Sequence, residues 1–113
     1  MTISITDRND LLTPILRDLA ERRLLFALSR FDSRVERVDM VVQDENGPRG
    51  GIDKACRVTV GLHRSADVVI SDKDSDIGKC ISRVAERLGR AVSRTIARTQ
   101  QFERERPTYL EIP

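Results

Sequence analysis

The sequence predicts an α+β fold, a single domain with the element order β-α-β-β-β-α. Three observations predict it. Apolar and polar side chains alternate in a short opening segment and again in three consecutive segments mid-chain. Apolar residues recur at steps of three and four in two long runs flanking those three segments. A length of 113 residues suits one hydrophobic core and leaves too little chain for two. Hydrophobic residues are 39% and charged residues 34% of the chain, enough for a core beneath a densely charged surface, which excludes disorder throughout.

Residues 2–5, TISI, read as a strand with Ile3 and Ile5 inward. Thr13 is placed to cap a helix whose first position is Pro14, and the run from Ile15 to Phe31 holds neither Gly nor Pro. Leu16, Ala20, Leu24, Ala27, Leu28 and Phe31 share one face of that helix, with Arg23 and Arg30 along its flank. From Arg37 to Gln43 the residues Val38, Met40 and Val42 alternate with polar neighbours, Val41 being the exception, so this is a half-buried strand. The turn cluster DENGPRGG follows, then Cys56, Val58, Val60 and Leu62 alternate again, giving an antiparallel hairpin. After a turn over His63 to Ala66, DVVIS supplies the next strand. Asp72, Asp74 and Asp76 stand before the last run, where negative charge suits a helix N-terminus. That run, from Ile77 to Arg98, contains no proline, and its mid-helix Gly89 is a cost to helix stability. Pro107 is expected to stop the helix, so residues 1–105 form the domain and residues 106–113 a short tail.

Charge is concentrated on that last helix. Lys79, Arg83, Arg87, Arg90, Arg94 and Arg98 follow one another at steps of four, four, three, four and four. At about 100° per residue they share an arc of roughly 100°, one ridge along the helix. Ile77, Ile81, Val84, Leu88, Val92 and Thr95 fall on a separate arc, the expected buried face. Residues 77–98 carry six basic residues and one acidic residue, Glu86, a net of +5; the remaining 14 basic and 17 acidic residues give −3. Repulsion among six cations is unfavourable unless a polyanion lies against them, and solvated helix faces ordinarily mix signs at i, i+4. A membrane is the poorer polyanion, because the opposite face is aliphatic and needed for the core. Within nucleic acids, Phe26, Phe31, Phe102 and Tyr109 are the aromatics and none lies on an expected strand as a stacking platform. The ridge is nearly pure cation, without the Asn and Gln that read base edges, which favours backbone and shape recognition of structured RNA.

Other classes find no support. No stretch reaches the length of apolar chain a membrane span needs, and MTISITDRND lacks a secretory pattern, so a cytoplasmic protein is expected. Cys56 and Cys80 are not C-x-x-C and read as unbridged packing residues. His63 is the sole histidine, in a turn, and supports neither a metal nor an acid–base site. The glycines of NGPRGG are turn formers, with no Lys-Ser or Lys-Thr and no helix after them to make a phosphate loop. No catalytic residue, no cofactor, no metal and no small-molecule substrate is expected.

The segments LTPILRDLAERRLLFALSRF and NGPRGGIDKACRVTVGL, followed by the Arg-rich last helix, resemble in that order the ribosome hibernation promoting factor family, also called sigma-54 modulation or ribosome-associated inhibitor proteins. The resemblance runs from residue 1 to about residue 100 and is to the short form, without the further domain that pairs ribosomes in long members. It implies a four-stranded sheet with both helices packed on one face, bound in the decoding channel of the small ribosomal subunit against its rRNA. It also implies the contact residues: Lys79, Arg83, Arg87, Arg90 and Arg94 on the last helix, with Arg98 continuing the ridge; Arg22, Arg23 and Arg30 on the first helix; and Lys54 and Arg57 in the hairpin. The expected function is ribosome hibernation by steric occupation, performed by a monomer or weak dimer. The alternative class is a protein-interaction module that modulates a sigma factor or transcription complex. An RNA-processing enzyme is disfavoured for want of a nucleophile, base or metal cluster.

Overall fold

The computed structural model describes residues 1–45 and 54–105. The hairpin loop with its turn cluster NGPRGG and the tail from residue 106, including Pro107, lie outside the described residues. The elements follow the expected order: β1 (Thr2–Asp7), α1 (Pro14–Leu28), β2 (Val35–Asp44), β3 (Lys54–Leu62), β4 (Val68–Asp74) and α2 (Ile77–Glu105). The sheet order is β1-β2-β3-β4, with β1 parallel to β2 and the other pairs antiparallel. A parallel pair needs a crossover, and α1 is that crossover.

Local chemistry sets the boundaries. The Asp7 carboxylate accepts from the backbone N–H of Leu11 (2.9 Å) and Leu12 (2.8 Å), turning the chain out of β1. Thr13 Oγ1 then accepts from Leu16 N at 3.2 Å, with Pro14 at the start of the helix. The α-helix ends at Leu28, and Ser29–Phe31, expected as its last turn, tightens into a 3₁₀ turn. At α2 the Asp76 carboxylate accepts from Gly78 N (2.9 Å) and Lys79 N (3.2 Å), capping the first turn. Asp72 and Asp74 are not part of that cap, because β4 continues past Ser71 and carries both in the strand.

Register puts Ile3 and Ile5 level with Val38 and Met40, and Val38, Met40 and Val42 opposite Val60, Val58 and Cys56. These side chains face the helices, and Val38, Met40, Val42, Cys56, Val58 and Val60 are fully buried. Helix α1 contributes Ala20, Leu24 and Leu28 to the same core, while Leu16, Ala27 and Phe31 are half-buried against it. Helix α2 buries Ile77, Ile81, Val84, Leu88 and Val92 as expected, but its inward arc continues to Ile96 and not to Thr95. Thr95 is half-buried and its hydroxyl donates to the Ala91 carbonyl, a bond that compensates a polar group beside the core. Gly89 is buried where the helices touch: a Cβ there would stand 3.3 Å from the Ala27 carbonyl oxygen. The helix-weakening glycine is thus a close-approach residue between α1 and α2.

Cys56 on β3 and Cys80 on α2 are both fully buried, unbridged, and meet across the sheet–helix interface. The Cys80 thiol donates to the Asp72 carbonyl at 3.3 Å. Contact with the Cys80 sulfur and burial push the Cys56 thiol well above the usual range, so it is a protonated packing group.

Candidate nucleic-acid interface

Both helices lie on one face of the sheet, so the ridge on α2 and the outer face of β3 are on opposite sides of the domain. Lys79, Arg83, Arg87, Arg90, Arg94 and Arg98 are all exposed, in one row on α2. The row is not electrostatically uniform. Arg83 is clamped to the end of β4: its Nε donates to Asp72 at 2.9 Å, its Nη1 lies 2.8 Å from Asp74, and its Nη2 donates to the Lys73 carbonyl at 3.0 Å. Arg87 donates to the Ser71 carbonyl at 3.2 Å and stands 3.7 Å from Asp72. Arg90 reaches Glu86 one turn earlier at 3.4 Å.

The acids respond accordingly. The Arg83 hydrogen bond, and next the Lys73 backbone N–H, hold the Asp72 carboxyl below the usual carboxylate range. Asp74 is lowered first by the Asp76 backbone N–H and then by Arg83. Arg83 itself is raised by the same two carboxylates. Three of the six have acidic partners: Arg90 has Glu86 at i, i+4, visible in the sequence, whereas Arg83 and Arg87 find theirs through a strand that neighbours α2 only in the folded sheet. Lys79, Arg94 and Arg98 form no ion pair among the described residues.

On α1 the expected contact residues separate. Arg22 pairs with Asp18 at 3.0 Å on the exposed side. Arg23 and Arg30 instead face α2 and, with Arg90, rim a groove of about 520 Å³ between the helices. Arg30 stacks on Phe31, its guanidinium carbon 4.7 Å from the ring centroid. Phe26 lines the same groove and is 86% exposed. Sequence reasoning missed it as a site residue by looking for aromatics on strands; its omission from the inward face of α1 was the signal.

The hairpin pair also divides. Lys54 is half-buried and lies 3.4 Å from Asp44 across the β2–β3 pair. Arg57 is exposed on the outer face, next in sequence to the inward Cys56, in a hollow of mixed lining where Val41 and Val69 stand beside Arg8, Glu45, Asp72 and Lys73. The structure therefore brings Arg23 and Arg30 to Arg90 of the α2 row, and sets Arg57 on the outer face apart from them. His63 sits in its expected turn, and its Nδ1 lies 2.9 Å from Glu36, a carboxylate neighbour the sequence did not reveal. Among the described residues, no group of His, Cys, Asp and Glu is arranged to hold a metal ion, and no helix is long and apolar enough to cross a membrane.

The profile of a family described as "Sigma 54 modulation protein / S30EA ribosomal protein" matches residues 3–100. No curated protein matches the chain by sequence. Among solved structures, a ribosomal subunit interface protein from Coxiella burnetii superposes with a TM-score of 0.70 at 18% identity, covering 86% of this chain and 99% of that one. The N-terminal domain of Protein Y from Thermus thermophilus superposes with a TM-score of 0.66 at 25% identity, covering 83% of this chain and 98% of that one.

Proposed function

Because the chain belongs to the sigma 54 modulation protein / S30EA ribosomal protein family, we propose that it is a ribosome hibernation factor that binds the small ribosomal subunit through rRNA and blocks translation by occupying the decoding channel. The observation that carries this reading is the cationic row on α2, joined at Arg90 by Arg23 of α1 and Arg30 of the 3₁₀ turn that follows it. Phosphates are the counter-charge such a row fits, and a surface without a hydrogen-bonding code for bases recognises the shape of a folded RNA.

Within it the residues divide the work. Lys79, Arg94, Arg98, Arg23 and Arg30 neutralise rRNA phosphates, and Arg90, shared with Glu86, adds less. Arg83 and Arg87 hold α2 against β4 and contribute less charge to the RNA, since Asp72 and Asp74 already offset it. Arg22 and Lys54 are subsidiary, and Arg57 serves a second contact on the outer sheet face. Residues 1–105 are the ribosome-binding unit, working in the cytoplasm by steric occupation and without bond-making chemistry.

Sedimentation of a cell lysate through a sucrose gradient tests the reading: the protein travels with small subunits and 70S particles, and is released by high salt. Migration at the top of the gradient at low salt, with recovery of a sigma factor or polymerase on an affinity column insensitive to RNase, would replace it with the transcription-partner reading.

A further inference from the structure

The groove between α1 and α2 has a composition that a plain phosphate-binding surface does not need. Its floor is made of small groups, Ala27 of α1 with Ala85 and Gly89 of α2. Gly89 lets the two helices approach closely at this floor, a Cβ there standing 3.3 Å from the Ala27 carbonyl oxygen. At one wall stands Phe26, 86% exposed, the most exposed large apolar side chain among the described residues, above Ile15 at 78% and Leu25 at 48% on the same helix. What sets Phe26 apart from the other exposed apolar side chains of α1 is its place at the wall of a groove with an apolar floor, where a planar ligand could cover it. Around the rim are Arg23, Arg30 and Arg90. Arg30 is steadied by the ring of Phe31 and not by a carboxylate, so its charge stays uncompensated. Arg23 makes no ion pair or hydrogen bond among the described residues.

An apolar floor, one exposed aromatic and a cationic rim match the two halves of a nucleotide, the π-face of a base and the phosphates on either side of it. We propose that this groove receives a single unpaired base extruded from the structured RNA that the domain binds, with Phe26 stacking on the base and Arg23 and Arg30 holding the flanking phosphates. A base inside a duplex has both faces stacked and cannot present one to Phe26, so the occupant is a bulged or loop nucleotide. An apolar protein helix is disfavoured by three arginines at the rim, against which the lone carboxylate of Glu86 is already paired with Arg90. The inference rests on the RNA-binding reading and adds the way one base is gripped.

Two RNA hairpins of the same stem test it, one carrying a single unpaired 2-aminopurine and one fully paired, titrated with the full chain at fixed low salt. The bulged stem binds more tightly, by roughly fivefold or more given the usual strength of base–aromatic stacking, and 2-aminopurine fluorescence is quenched on binding. Phe26→Leu abolishes the preference and the quenching while leaving affinity for the paired stem unchanged, and Phe26→Trp keeps both. The double variant Arg94→Ala/Arg98→Ala weakens both stems equally and retains the preference, which separates the ridge from the groove. Equal affinity of the wild-type chain for the two stems, or a preference that survives Phe26→Leu, overturns the base pocket and leaves ridge binding standing. Failure of either stem to bind the wild-type chain overturns the RNA reading and the pocket with it.

Discussion

Salt dependence separates the two kinds of cation on the helical layer. Lys79, Arg94 and Arg98 on α2, with Arg23 on α1 and Arg30 in the turn after it, form no ion pair among the described residues, whereas Arg83 is held by Asp72 and Asp74 at 2.9 and 2.8 Å. If those unpaired side chains cover about five phosphates, counterion release of about 0.9 per phosphate gives a slope of log affinity against log salt of about −4.5. Raising salt from about 50 to about 200 mM then weakens binding about 500-fold. In Arg94→Ala/Arg98→Ala the slope falls to about −2.7, and the same rise in salt weakens binding only about 40-fold. Arg83→Ala leaves the slope nearly unchanged, because its charge is already offset within the protein, and instead lowers the melting temperature by releasing α2 from β4. The assay is co-sedimentation with purified small subunits across a salt series, with a circular dichroism melt for each variant. A slope reduced by about one unit in Arg83→Ala would refute the internal neutralisation. An unchanged slope in the Arg94/Arg98 double variant would move the RNA contact off this ridge, toward Arg57 on the outer face.

Leu88 is fully buried between α2 and the sheet, so Leu88→Ala costs about 2–5 kcal/mol by the transfer and cavity terms, read as a lower denaturant midpoint; an unchanged midpoint would contradict the core described. Cys56 and Cys80 are inaccessible, so the native protein resists iodoacetamide and takes up two equivalents only in denaturant; rapid native labelling would show that the β3–α2 interface opens. Asp72 and Asp74 have folded pKa values depressed below their unfolded values, so their stabilisation is complete above about pH 4 and lost as pH falls through the folded values. The melting temperature therefore drops below that pH, and it drops less in Asp72→Asn; an identical acid limb in the variant would show that the clamp on Arg83 contributes nothing.

Much of this was legible in the sequence because periodicity reports which side of an element is buried. The alternation of Val38, Met40 and Val42 with their neighbours and the steps from Ile77 to Val92 each point at the core found. Boundaries were less legible: β4 runs on through Lys73 and Asp74, where only polar side chains mark it, because ladder bonds to Lys54 and Ala55 hold the backbone there. The pairing of Arg83 and Arg87 with β4 could not be read locally, since it depends on β4 and not β1 being the edge beside α2. Gly89 looked like a defect in a helix and is an accommodation to α1, a distinction that needs the neighbouring helix. Thr95 and Ile96 exchanged roles because the contact face of a long helix drifts as it crosses the sheet, and a strict wheel does not follow that drift.

The uneven charge along α2 also bears on how the protein would meet the RNA proposed as its target. From Asp72 to Arg90 five cations stand among four carboxylates, whereas residues 91–102 carry Arg94 and Arg98 with no acid between them. Against the phosphate surface proposed above, the acid-free stretch is drawn in more strongly than the internally balanced one, so the molecule experiences a torque before it touches anything. Encounters are thereby biased toward a pose in which the C-terminal half of α2 leads, a bias that accelerates productive capture at low ionic strength and fades as the Debye length shrinks.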